Sequence, residues 1–142
     1  MNNVQISALD ENPGDSENLR QVKALYRALK SKDQQIIKEI LVDEPVWDVS
    51  PGFPDGAVYR GISEVFGGFY QKLLARVHSL GAFPDRFVDG GDTVVALGHY
   101  HITKTDGSSP VLVRFSHAWG IDDKGRVKGV WQVADSAQFF AS

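Results

Sequence analysis

Three strand-like runs near the C-terminal end most constrain what this chain can fold into. They span residues 92–103, 110–121 and 126–135, and short segments rich in Asp, Gly and Ser separate them. Gly107 and Gly125 fall inside these segments, and such turn residues between alternating apolar runs are typical of β-hairpins. The runs therefore predict consecutive antiparallel strands of one sheet.

Three of the four histidines lie in these runs, and the face that each occupies follows from the alternation of side chains in a strand with period two. By this count one face of the first run carries Val95, Leu97, His99 and His101. One face of the second run carries Val113, Phe115, His117 and Trp119. An apolar face with titratable groups in its middle indicates a lined cavity rather than a plain core. We expect the imidazoles of His99, His101 and His117 to line that cavity.

The residues before these strands predict helices. Ser16 begins a helix with an apolar stripe to about Ser31, Asp33 can cap a second one, and a third is expected over residues 63–77. A short strand is predicted at residues 46–49 and another at 82–88. Helices followed by antiparallel strands predict an α+β fold, with three N-terminal helices packed on a curved, mainly antiparallel sheet. Residues 1–15 are expected to be a flexible lead-in, and residues 16–142 a single domain.

Composition excludes several functional classes. The chain has 142 residues, a net charge of −3, a pI near 5.7 and no cysteine. Nucleic-acid binding is disfavoured because no basic face is visible, and zinc–thiolate or disulfide chemistry is excluded. No run is long and apolar enough to span a membrane, and the first residues do not resemble a signal peptide. We expect a cytoplasmic protein that binds neither nucleic acid nor membrane.

Five segments, in this order and spacing, resemble the nuclear-transport-factor-2-like superfamily, specifically its SnoaL-like and ketosteroid-isomerase-like branch. They are Leu25–Asp33, Val46–Gly52, Tyr59–Phe66, Val88–Val95 and Phe115–Val127. The resemblance implies a cone-shaped α+β barrel, usually a homodimer, with a pocket for a small apolar, aromatic or polyketide-like molecule. It does not determine the reaction, because related folds host isomerases, cyclases, hydrolases and non-catalytic binders.

The resemblance also implies candidate catalytic residues. The oxyanion-donor position of ketosteroid isomerases falls on His117, the helix tyrosine that shares this task on Tyr26, and the general base at or beside Asp48. Cofactor-free proton transfer next to a carbonyl would follow. The last-strand acid of limonene-epoxide-hydrolase-like and cyclase-like members falls on Gln132. The arginine and aspartate of hydrolase members fall on His99 and His101, which disfavours epoxide hydrolysis.

Alternatives stay open for most of these residues. Asp48 is also a typical turn residue, and either Trp47 or Asp48 faces inward. Trp47, Phe115 and Trp119, with Gln132, are expected to contact a ligand, but the aromatic ones also suit core packing. The three imidazoles could together bind a metal, although we expect no metal and no cofactor.

The rival to an enzyme is a non-catalytic ligand binder or dimeric accessory domain. Small residues on the face opposite the imidazoles predict a homodimer through the outer side of the sheet. They are Ala96, Gly98, Ser116, Ala118 and Gly120, with Tyr100 and Leu112 adding area.

Overall fold

The computed structural model describes residues 7–107 and 109–140. Four helices, α1 to α4, span Glu17–Ser31, Gln34–Ile40, Gln71–Arg76 and Ser136–Phe140, and a π-helix spans Ser63–Tyr70 directly before α3. Six strands, β1 to β6, span Leu41–Val49, Val58–Arg60, Ser79–Asp89, Thr93–Thr103, Val111–Ile121 and Val127–Ala134. The predicted α+β fold, with helices on a curved and mainly antiparallel sheet, is confirmed.

The six strands form one sheet in the order β2-β1-β6-β5-β4-β3. All neighbouring pairs are antiparallel except β1 and β6, which are parallel. The strand predicted at residues 46–49 is longer in the structure, because β1 begins at Leu41, directly after α2, and Pro45 lies within it. Strand β2 was not predicted. The predicted third helix is divided into the π-helix and α3, and β3 is longer than expected at both ends.

Helix α1 forms because its sequence combines a cap with an apolar stripe. Oγ of Ser16 accepts a hydrogen bond from the backbone N–H of Leu19, and the chain leaves the helix at Lys32 in a left-handed conformation with φ of 58°. The buried stripe includes Val22, Leu25 and Tyr26. This stripe packs on the concave face of the sheet, so Tyr26 is directed towards the middle of the strands.

The concave face of the sheet carries the core, and its residues on β4 are not the ones predicted. On β5 the buried residues are Val113, Phe115, His117 and Trp119, as predicted. On β4 they are Val94, Ala96, Tyr100 and Ile102. The register pairs Ala96 with His117 and Tyr100 with Val113, and residues paired in this way share a face. The prediction that His99 and His101 share a face with His117 is therefore wrong, although the alternation within each strand is right.

A close approach between β3 and β4 explains one glycine. A Cβ atom at Gly98 would lie 2.3 Å from the backbone oxygen of Phe83 and 2.9 Å from the ring of Phe115. The register of the two strands shifts between Pro84 and Arg86, beside this glycine. Only glycine allows the strands to approach at this bend.

The segment before α1 packs along that helix from residue 7 onward. Nζ of Lys23, which is almost fully buried, donates to the carboxylate of Asp15 and to the backbone oxygen of Asp10, both at 2.8 Å. The Lys23 hydrogen bond holds the pKa of Asp15 below its usual value. Residues 1–6 of the predicted lead-in, and residues 108, 141 and 142 of the predicted domain, lie outside the described residues.

None of the helices in residues 7–107 and 109–140 has the length and apolar content needed to cross a membrane.

Candidate functional site

A cavity of about 570 Å³ lies between the concave face of the sheet and the helices. Its floor is formed by buried side chains of the sheet and of α1, and its wall by the π-helix and α3. The floor residues include Tyr26, Trp47, Tyr100, His117 and Trp119. The volume falls in the range of about 300–1,000 Å³ that is usual for small-molecule sites.

His117 is the centre of the floor. Its imidazole is 6% exposed, and its two ring nitrogens contact two tyrosine hydroxyls. Oη of Tyr26 lies 2.5 Å from Nδ1, and Oη of Tyr100 lies 2.6 Å from Nε2. The ring also stacks on Phe115, with centroids 3.8 Å apart and planes at 9°. These contacts hold the imidazole in one orientation between α1, β4 and β5.

Two further side chains orient the hydroxyls of this Tyr26–His117–Tyr100 triad. Nε1 of Trp119 donates to Oη of Tyr26 at 2.9 Å, and Nε2 of Gln132 donates to Oη of Tyr100 at 3.1 Å. The orientation of the Gln132 amide is determined by its other end, where Oε1 accepts from the backbone N–H of Ser50 at 3.2 Å. Both tyrosine oxygens therefore already accept one hydrogen bond from an obligatory donor.

Burial keeps every member of the triad uncharged near neutral pH. Desolvation lowers the pKa of His117 to about 3, because the buried imidazole is poorly able to hold a charge. Desolvation likewise raises the pKa of both Tyr26 and Tyr100 well above the ordinary tyrosine value. The floor can thus donate and accept neutral hydrogen bonds, and it offers no fixed charge to a ligand.

Tyr70 adds a hydroxyl to the cavity wall. Its Oη accepts from Nε1 of Trp47 at 3.1 Å, and burial raises the pKa of Tyr70 to about 12. Neither Tyr70 nor Tyr100 was predicted to line the cavity. The signal for Tyr70 was its helical spacing of four from Phe66, which also lines the cavity.

Five of the nine predicted site residues come together in the cavity. Trp47, Trp119 and Gln132 line it with Tyr26 and His117. Phe115 does not belong to the lining; it lies behind His117 and supports the ring.

The other three predicted site residues lie elsewhere. Asp48 alternates with Trp47 and Val49, which line the cavity, and is therefore on the opposite face of β1. The expectation that Asp48 shares a hollow with His117 is wrong. His99 and His101 are on the convex face of β4, where His99 contacts Asp85 at 3.2 Å and His101 is exposed. Their expected place in the cavity is also wrong, because the register of β4 against β5 turns Tyr100 inward instead.

Neither a carboxylate nor a metal cluster belongs to this cavity. The described lining residues include no Asp or Glu. Within residues 7–107 and 109–140, no group of three His, Asp or Glu side chains is placed to hold a metal ion. His99 and His101 face away from His117, so the three imidazoles do not converge.

Comparisons with known proteins agree with this architecture. A family model described as the SnoaL-like domain matches residues 22–130. A search of curated proteins found no match.

Solved structures with this fold include an NTF2-like protein of unknown function from Burkholderia pseudomallei, with TM-score 0.77, 23% identity and coverage of 88% of this chain and 95% of that one. TerC, crystallised with polyporic acid, has TM-score 0.78, 20% identity and coverage of 87% and 95%. RV0760c from Mycobacterium tuberculosis, in complex with estradiol-17β-hemisuccinate, has TM-score 0.62, 18% identity and coverage of 82% and 92%. At these identities the likeness establishes the fold.

Proposed function

This chain belongs to the SnoaL-like domain family, and from that premise we propose that it binds a small apolar ring compound through a carbonyl or hydroxyl oxygen. The observation that carries the proposal is the Tyr26–His117–Tyr100 triad at the floor of an otherwise largely apolar cavity. Apolar walls supply affinity, and a few converging polar groups supply orientation.

A count of protons in the triad indicates what the ligand must offer. A neutral imidazole has one N–H donor and one bare acceptor nitrogen. One tyrosine therefore donates its proton to His117, while the other accepts the imidazole N–H. That second hydroxyl already accepts from Trp119 or Gln132, and its own proton has no acceptor among the described residues. An oxygen of the ligand is the acceptor that completes the network.

The wall supplies a second donor of the same kind. Oη of Tyr70 accepts from Trp47, and among the described residues nothing accepts the Tyr70 hydroxyl proton. Leaving such a buried donor unpaired costs about 1–3 kcal/mol. Ring compounds with oxygen substituents satisfy both requirements, and TerC and RV0760c are two proteins of this fold crystallised with such molecules.

Titration with estradiol, followed by quenching of tryptophan fluorescence, tests this function. Of Tyr26→Phe and Tyr100→Phe, the variant that removes the hydroxyl bound to the ligand should weaken binding about 3- to 10-fold, since a neutral hydrogen bond contributes about 0.5–1.5 kcal/mol. Tyr59→Phe is the matched control, because Tyr59 is buried, donates to the backbone oxygen of Asp55 and does not line the cavity. Failure of both estradiol and polyporic acid to bind, or equal binding by all three variants, would contradict the proposal.

Proton transfer next to a carbonyl is the second candidate, and the short contacts on both sides of the imidazole favour it. In one tautomer Oη of Tyr26 can take a proton from a ligand carbon while it passes its own proton to Nδ1 of His117. The Nε2 proton then moves to Tyr100, whose hydroxyl proton moves to the ligand oxygen. The C–H electron pair becomes the double bond of the enol, and the triad ends in its other tautomer.

Deuterium exchange separates this chemistry from simple binding. The α-protons of 2-tetralone, an apolar enolisable ketone, should exchange faster in D2O in the presence of the protein, as followed by NMR. His117→Gln should abolish the acceleration, because glutamine cannot relay a proton between two hydroxyls. Asp48→Asn should leave it unchanged, since Asp48 is on the other face of β1. A loss of exchange in Asp48→Asn with retention in His117→Gln would contradict the relay.

The convex face of the sheet supports a homodimer. Trp131 and Leu112 are each 57% exposed there and Val133 is 38% exposed. The register places the small residue Ala118 opposite Trp131. An exposed apolar face of this kind, beside small residues, suits packing against the same face of a second copy.

Light scattering coupled to size-exclusion chromatography tests the dimer. The protein should elute at twice the chain mass of 15.6 kDa at micromolar concentration, and Trp131→Lys should elute as a monomer. A monomeric parent protein, or a dimer that Trp131→Lys does not weaken, would exclude this face as the interface.

A further inference from the structure

The lining residues of the cavity are buried at its floor and exposed to solvent at its mouth. The mouth consists of the lining residues that are themselves exposed, which are Lys30, Lys32, Gln34, Leu74, His78, Ser79 and Phe83. They belong to the end of α1 and start of α2 on one side, and to the α3–β3 junction and β3 on the other. A ligand that enters the cavity must pass between these two sides.

The mouth is cationic in a chain whose net charge is −3. Two of its residues are lysines, and no carboxylate belongs to the lining in the described part of the chain. Across residues 7–107 and 109–140, neither lysine has an Asp or Glu oxygen within ion-pair distance. The acid next in sequence, Asp33, is engaged elsewhere, because its carboxylate accepts from the backbone N–H of Ile36 at 3.2 Å.

Both lysines are held at the mouth. Nζ of Lys30 lies 5.0 Å from the centroid of the Phe83 ring, so a cation–π contact joins the two sides of the mouth. The backbone of Lys32 adopts φ of 58°, and its N–H donates to the last turn of α1. The ring of Phe83 therefore positions the charge of Lys30, and the helix end fixes the backbone from which the Lys32 side chain extends.

We propose that the natural ligand is an amphiphile with an anionic group, of the carboxylate type, which stays between Lys30 and Lys32 while the apolar body fills the cavity. This inference rests on the proposed binding function and adds the charge and orientation of the ligand. The floor is uncharged and buried, so an anion placed there would lose its hydration without gaining a counter-charge. At the mouth the anion keeps part of its hydration and gains two cations. Charge at one end and an oxygen acceptor at the other would orient the ligand in a single direction.

A matched pair of fluorescent probes tests the inference. 1-Pyrenebutanoate carries an apolar ring system and a carboxylate on a short tether, and its methyl ester has the same body without the charge. The variants are Lys30→Gln and Lys32→Asn, singly and together; asparagine is chosen because it tolerates the left-handed backbone. Lys38→Gln is the control, since Lys38 is an exposed lysine of α2 that does not line the cavity.

The acid should bind more tightly than the ester, and the double variant should weaken acid binding about 3- to 20-fold while ester binding stays within twofold. Lys38→Gln should behave as the parent, and added salt should weaken binding of the acid alone. Equal affinity for acid and ester, or equal losses in Lys38→Gln and the double variant, would overturn the inference and leave the binding function intact. Binding of neither probe would overturn both.

Discussion

Lowering the pH from 8 to 5 should cost the folded protein about 2 kcal/mol through His117 alone. The imidazole is buried among aromatic rings, and desolvation lowers its pKa to about 3, against an ordinary value of 6.5. Between these two values the unfolded chain binds a proton at this position and the folded chain does not. Stability therefore rises with pH through this window and falls as the pH is lowered.

The magnitude follows from the two pKa values. At pH 5 about 97% of unfolded imidazoles are protonated, and nearly none of the folded ones are. Proton binding at this imidazole therefore favours the unfolded state over the folded state about 30-fold at pH 5, which corresponds to about 2 kcal/mol at 25 °C. The cost should be nearly absent above pH 8 and should reach about 3 kcal/mol at pH 4.

Urea unfolding of the parent protein and of His117→Gln, at pH 8, 6 and 5, isolates this contribution. Glutamine keeps a donor and an acceptor in the network but does not titrate. The difference in unfolding free energy between the two proteins should therefore shift by about 2 kcal/mol towards the variant between pH 8 and 5. A pH-independent difference would show that the imidazole is not held neutral, and would remove the basis for the proton count in the triad.

Four further changes test the packing of the fold. Tyr100→Phe should lower the unfolding free energy by about 1–3 kcal/mol in urea, because it leaves a nitrogen of the buried imidazole without a partner. Gly98→Ala should cost about 1–3 kcal/mol, since the new Cβ would meet backbone at 2.3 Å. Gly67→Ala, whose Cβ would meet nothing within 4 Å, should be neutral or gain about 0.5–1 kcal/mol. Asp15→Asn should lower the urea midpoint because it leaves the buried Lys23 ammonium beside a neutral amide, and adding Lys23→Met should recover part of the loss.

Several features could be predicted from the sequence because they depend on residues that are close together along the chain. The cap at Ser16 and the stripe through Leu25 and Tyr26 predicted α1, because helix periodicity and capping depend on residues within one or two turns. The glycines at 107 and 125 both adopt positive φ in the turns that separate the last three strands. The inward face of β5 followed from its own alternation.

The side of β1 that enters the cavity was decided by packing. Trp47 and Asp48 are neighbours, and either one could have faced inward by local criteria. In the folded chain Trp47 is buried against Trp119 and Phe66, and Asp48 is on the convex side. Burial of the large ring is favourable, whereas burial of an unpaired carboxylate is costly.

The sequence by itself determined the fold class and which residues of each strand share a face, since alternation is a property of one strand. Only the tertiary structure decided that Tyr100, and neither His99 nor His101, meets His117. That outcome depends on the register between β4 and β5, and a shift of one residue exchanges the two faces of a strand. The register is determined by the burial of whole faces and by the close approach at Gly98, which are interactions between distant parts of the chain.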